Sequence, residues 1–109
     1  MLDEPHFNAA ADAMLTHLFD QMEDAFDNGT FEELELIDGI LRIEDTRGNV
    51  WIISKHQASR QIWLASPTLG GLHFSFDHAS QNWLLPDGRD LKPLLSDDIN
   101  HCANAYIVL

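Results

Sequence analysis

The chain has 109 residues, enough for one domain, and 45% of them are hydrophobic, enough for a real core. Eighteen acids against six lysines and arginines give a net charge of −12, a surface that repels nucleic acid and anionic membranes and attracts cations or basic protein patches. No apolar run reaches membrane-spanning length, no basic, apolar leader opens the chain, and the single cysteine, Cys102, rules out an internal disulfide, so a reduced, cytoplasmic setting is expected.

Asp3-Glu4-Pro5 predicts a helix start: Asp3 caps, Glu4 suits the positive end, and proline is tolerated in the first turn. Phe7, Ala11, Met14, Leu15, Leu18 and Met22 recur at steps of three and four, the stripe of an amphipathic helix running to about Phe26. Asn28-Gly29 stops it. The other side carries Asp12, Asp20, Glu23, Asp24 and Asp27. Like charges four apart repel by a few tenths of a kcal/mol per pair, and acids are disfavoured at the negative end of a helix dipole. Such a concentration of broken local rules marks a functional site, with a merely solvated acidic face as the plain alternative.

Phe31 to Leu36 alternates as a strand, with Glu33 and Glu35 on one face and Leu34 and Leu36 on the other. Asp38-Gly39 signals a hairpin into Ile40 to Asp45, whose Leu41 and Ile43 face the core. Val50 to His56 follows the turn at Arg47-Gly48-Asn49. It sets Trp51 and Ile53 against Ile52, Ser54 and His56. A fourth strand begins at Arg60 and runs to Ser66-Pro67, with Ile62 and Leu64 on one face and Gln61, Trp63 and Ala65 on the other. If Ile62 and Leu64 face the core, Trp63 is either part of a second buried face or an exposed anchor for a protein partner, a role in which tryptophan is enriched. A fifth strand turns Leu72, Phe74 and Phe76 inward and His73 and Ser75 outward, and a short one follows at Asn82 to Leu85. Asp90 caps a second helix with Leu91, Leu94, Leu95, Ile99 and Cys102 on its stripe. The apolar Ala105 to Leu109 is expected to pack between the two helices. The order predicts an α+β fold spanning 1–109 as a single domain. It is a two-layer α-β sandwich, with an antiparallel sheet of about six strands covered on one face by the N- and C-terminal helices.

Catalytic signatures are sparse. The chain has no glycine-rich phosphate loop, no Cys-x-x-Cys and no nucleophile elbow. The six histidines, at 6, 17, 56, 73, 78 and 101, lack the close spacing of a zinc site, and Cys102 on an apolar helix face reads as a core thiol. What remains is exposed carboxylate, a hard oxygen ligand suited to divalent ions, Fe(II) among them. If the first strand is the sheet edge beside the first helix, Asp20, Glu23, Asp24, Asp27, Glu33 and Glu35 form one ridge. Carboxylates on a convex ridge leave a cation its waters, so binding is weak and exchange fast. That suits delivery, sensing or partner attraction.

Three stretches, Ile53-Ser54-Lys55-His56, Arg60 to Pro67 with its Gln-Ile-Trp-Leu core, and Gly70-Gly71-Leu72-His73-Phe74, resemble the frataxin family, its bacterial CyaY branch in particular. Phe7 to Asp12, Asp38 to Leu41, Trp83 and Leu91 to Leu95 also fit, so the resemblance covers nearly the whole chain. It implies a non-enzymatic iron-binding regulator or iron donor in iron–sulfur cluster assembly, holding iron weakly on the acidic ridge. The implied partners are the cysteine desulfurase and the scaffold on which clusters form, and the implied docking face is Gln61 and Trp63 with Ser54, His56 and His73. The family often has asparagine where Ser54 stands and glutamine where His56 stands. The resemblance implies a monomer, with iron-dependent assembly as an option. Two other classes stay open: an iron oxidase or storage protein, and an acidic interaction protein without a physiological metal.

Overall fold

The computed structural model describes residues 2–109. Helix α1 spans Glu4–Asp27, capped by the Asp3 carboxylate, which accepts from the His6 backbone N–H at 3.0 Å. Its stripe, Phe7, Ala11, Leu15, Leu18 and Met22, is fully buried. Gly29, at φ +90°, lets the chain reverse toward the sheet.

Six strands follow: β1 Phe31–Ile37, β2 Ile40–Asp45, β3 Val50–His56, β4 Gln61–Ser66, β5 Gly70–Asp77 and β6 Asn82–Leu84. All are antiparallel, and their spatial order is their chain order. Asp38 and Gly39 both take positive φ, 52° and 74°, the mirror-image turn that joins Ile37 to Ile40 without splaying the strands. Helix α2, Leu91–Ala103, is capped by Asp90 and buries Leu91, Leu95 and Ile99. These side chains meet Leu41, Ile43, Trp51, Ile53, Ile62, Leu64, Phe74 and Trp83 in one core. The opposite sheet face stays open: Ile37, Ile40 and Ile52 are 55%, 48% and 37% exposed. This is the predicted two-layer α+β sandwich.

Two expectations need correction. Arg60 does not begin β4; it closes the β3–β4 turn at φ +55° and lies 3.8 Å from the Glu4 carboxylate of α1. The segment after α2 packs only on alternate residues. Ile107 is buried, clamped by Asn100, whose Nδ2 donates to the Ile107 carbonyl at 2.8 Å while its Oδ1 accepts the Ile107 N–H at 2.7 Å. Tyr106 and Val108 point outward, 96% and 86% exposed. Extended backbone alternates its side chains, so only one face of this segment reaches the helices.

Candidate functional site

The acidic residues occupy two joined elements. Asp20, Glu23, Asp24 and Asp27 are exposed on the last two turns of α1. Asn28 to Thr30 then leads directly into β1, an edge strand with a neighbour only on its β2 side. The Thr30 N–H donates to the Ala25 carbonyl at 2.9 Å, and its hydroxyl to Asn28 Oδ1 at 2.8 Å, which fixes the path from helix to strand. On β1, Glu35 is exposed and Glu33 half-buried. An irregularity between Phe31 and Glu33 interrupts the register with β2 there.

Glu33 is not free. Arg42 of β2 holds it at 2.6 Å and Glu44 at 3.2 Å. The hydrogen bonds from Glu33 and then Glu44 keep the Arg42 guanidinium above its ordinary range. Sequence reading placed Glu33 in the ridge but missed this cation, although the hairpin register does set Arg42 opposite Glu35. Among the described residues, no three His, Cys, Asp or Glu side chains converge as a metal cage. The donor set is open carboxylate, which suits a hard, hydrated cation held as cargo. Replacing Arg42 with alanine is expected to free Glu33 and strengthen cation broadening of β1 resonances in an Fe(II) titration; unchanged broadening there would show that Glu33 takes no part.

The second group lies on the open sheet face. Ser54, Trp63 and His73 pair directly across β3, β4 and β5, and His56 pairs with Gln61 one step along. The indole of Trp63 lies between two imidazoles. His56 is 3.6 Å away with an interplanar angle of 8°, and His73 is 4.1 Å away at 7°. The Trp63 Nε1–H donates to Gln61 Oε1 at 3.0 Å, and Gln61 Nε2 donates to the Ser75 hydroxyl at 3.3 Å. Trp63 is therefore not part of a second buried face: it is half-buried between flat neighbours on the open side of the sheet.

A third cluster was not anticipated. Asp98 of α2 is 8% exposed, yet it is a carboxylate on an apolar helix face. It accepts from Trp51 Nε1–H at 2.9 Å, from the Ser66 hydroxyl at 2.5 Å and from the Thr68 hydroxyl. Burial pushes its carboxyl up, but these three hydrogen bonds, with His101 nearby, outweigh burial and leave it below the ordinary 3.8. The signal in the sequence was its place three residues after Leu95 and four before Cys102. Burial first, then the carboxylates of Asp98 and Asp45, push the Cys102 thiol up, which disfavours its thiolate.

A family model for the frataxin-like domain matches residues 1–105. The iron-sulfur cluster assembly protein CyaY of Pseudomonas aeruginosa is 36% identical over 83 residues, 75% of this chain and 72% of that one. The protein of the same name from Stutzerimonas stutzeri is 34% identical over 84 residues, 76% of this chain and 72% of that one. A mitochondrial frataxin-like protein of Leishmania donovani is 31% identical over 100 residues, covering 85% of this chain and 52% of that one. The structure of frataxin from Psychromonas ingrahamii superposes with a TM-score of 0.85 at 18% identity, over 98% of this chain and 97% of that one, a likeness of fold. A trimeric frataxin from Saccharomyces cerevisiae, complexed with ferrous iron, gives a TM-score of 0.75 at 27% identity, over 88% of this chain and 87% of that one. The fold and the sequence matches agree: the chain belongs to the frataxin family, and within it to the CyaY type.

Proposed function

We propose that this protein is a non-catalytic iron-binding regulator or iron donor of iron–sulfur cluster assembly, and that it docks on the cysteine desulfurase near the cluster scaffold. The two CyaY relatives named above carry that assembly role in their names. The observation that carries the reading is the division of the surface. Carboxylates gather on the last turns of α1 and on β1, while the Trp63 stack sits among uncharged sheet neighbours, Ser54, Gln61, Ala65, Gly71 and Ser75. In this reading Asp20, Glu23, Asp24, Asp27 and Glu35, joined by Glu33 when it exchanges Arg42 for the cation, hold iron weakly and exchangeably, because open carboxylates leave a cation most of its waters. The same negative field steers the ridge to a basic patch on the desulfurase, while Trp63, with Gln61, Ser54, His56 and His73, forms the contact centre.

An anaerobic Fe(II) titration followed residue by residue by NMR tests the iron half of this reading. Paramagnetic broadening is expected at Asp20 to Asp27 and on β1, with the Trp63 stack unaffected. Broadening centred on the histidines would move the site, and none at all would leave the acids as a docking surface.

A further inference from the structure

Both faces of the Trp63 indole are already covered, by His56 on one side and His73 on the other. His73 stands directly opposite Trp63 in the β4–β5 register, and His56 is its diagonal neighbour across β3 and β4. One outer plate and the middle one are themselves anchored. His56 Nδ1 pairs with the Ser59 hydroxyl at 2.8 Å, and the indole N–H is held by Gln61, which is held in turn by Ser75. A tryptophan alone on an open sheet has several rotamers to choose from; this one is fixed between parallel plates before any partner arrives.

We propose that Trp63 is presented to its partner edge-on, as the middle plate of a three-ring stack, with His56 and His73 as the positioning residues that hold it there. The proposal rests on the docking reading above and sets the chemistry of the surface that fits. No arginine or aromatic ring of a partner can lie flat on Trp63. What the partner meets is a ridge of ring edges. Aromatic edges carry the positive part of the ring quadrupole, so their complement is a narrow apolar slot lined by carbonyl or carboxylate oxygens. The acidic ridge asks for the opposite, a basic patch. One protein surface offering both, at the right separation, is a specific match that neither feature provides alone. Holding the indole in place beforehand also removes the ordering cost that a loose side chain carries into binding.

Proton NMR of the free protein comes first. Ring protons of His56 and His73 are expected upfield, shielded by the indole, and to lose that shift in Trp63→Leu. Docking on the desulfurase is then compared for His73→Leu, which removes a flat plate, and His73→Phe, which keeps one. His73→Leu is expected to weaken docking about three- to tenfold, the range of a stacked aromatic pair, and His73→Phe to restore most of it. In a Trp63→Ala background, His73→Leu should add no further loss, because it acts through Trp63. Missing ring shifts, additive losses, or a phenylalanine no better than leucine would each overturn the positioning role. Unchanged docking of Trp63→Ala itself would overturn the docking reading, and the positioning role with it, even with the ring shifts intact.

Discussion

Replacing Asp98 with alanine is expected to lower folding stability by about 3–5 kcal/mol, measured by urea unfolding. The substitution removes one acceptor and strands three donors: the indole N–H of Trp51 on β3, the Ser66 hydroxyl at the end of β4 and the Thr68 hydroxyl in the loop beyond. Trp51 is fully buried, so its N–H has no water to turn to. A hydrogen bond to a charged acceptor is worth about 1.5–3 kcal/mol, against a total stability of about 5–15 kcal/mol for a domain. A loss under about 1 kcal/mol would show that the donors find other partners. Asp98→Asn keeps the shape and adds a pH signature. The Asp98 carboxyl sits below its ordinary 3.8 in the fold, so its charge stabilises fully above that value. The contribution is lost as pH falls through the depressed folded value. The stability gap between the natural chain and Asp98→Asn should therefore be constant near neutrality and close in strong acid; a gap that does not change with pH would mean that the buried carboxyl is not ionised.

The second large effect is on binding. Trp63→Ala is expected to weaken docking on the desulfurase by about 2 kcal/mol or more, roughly 30-fold, as for a central aromatic anchor. Fe(II) binding should be unchanged, because none of the six ridge acids pairs across the sheet with Trp63. The double reversal Glu23→Lys with Asp24→Lys should cost docking and most iron binding together. Calorimetry with each ligand separates the cases: equal loss of docking and iron on Trp63→Ala would show a single shared surface.

Periodicity made the fold legible where one face is buried and the other is not. The α1 stripe, the Asp38-Gly39 hairpin and the alternation of β2, β3 and β5 all follow that rule, and the register then follows from the turn. It fails where a residue answers to a distant partner. Arg60 reads as strand by composition, but its positive φ is set by turn closure. Asp98 reads as a polar residue on a helix, and only the approach of Trp51, Ser66 and Thr68, more than 29 positions away in the chain, makes it a buried acceptor. The proposed docking residues are grouped by family resemblance, and the strand register puts Ser54, Trp63 and His73 in one row. That Trp63 would be enclosed by two imidazoles needed the side-chain geometry itself. The ridge was legible as acids near one another; that Arg42 already occupies Glu33 was not, since three carboxylates on neighbouring strands share that one guanidinium's reach.

A sheet whose strands lie side by side in chain order has a consequence for synthesis. Each hairpin closes over a short loop, so the sheet can assemble as it emerges, but α1 comes out first and part of its cover arrives only with β6. Phe7 must wait for Trp83 of β6, more than seventy residues downstream, which meets it edge-on at 5.9 Å. At roughly 5–20 residues per second that wait is several seconds, during which an apolar stripe faces water. The carboxylates on the opposite side of α1 give the nascent helix a mutual repulsion between copies, so the charge proposed to steer docking of the finished protein also keeps its unfinished form from sticking to itself.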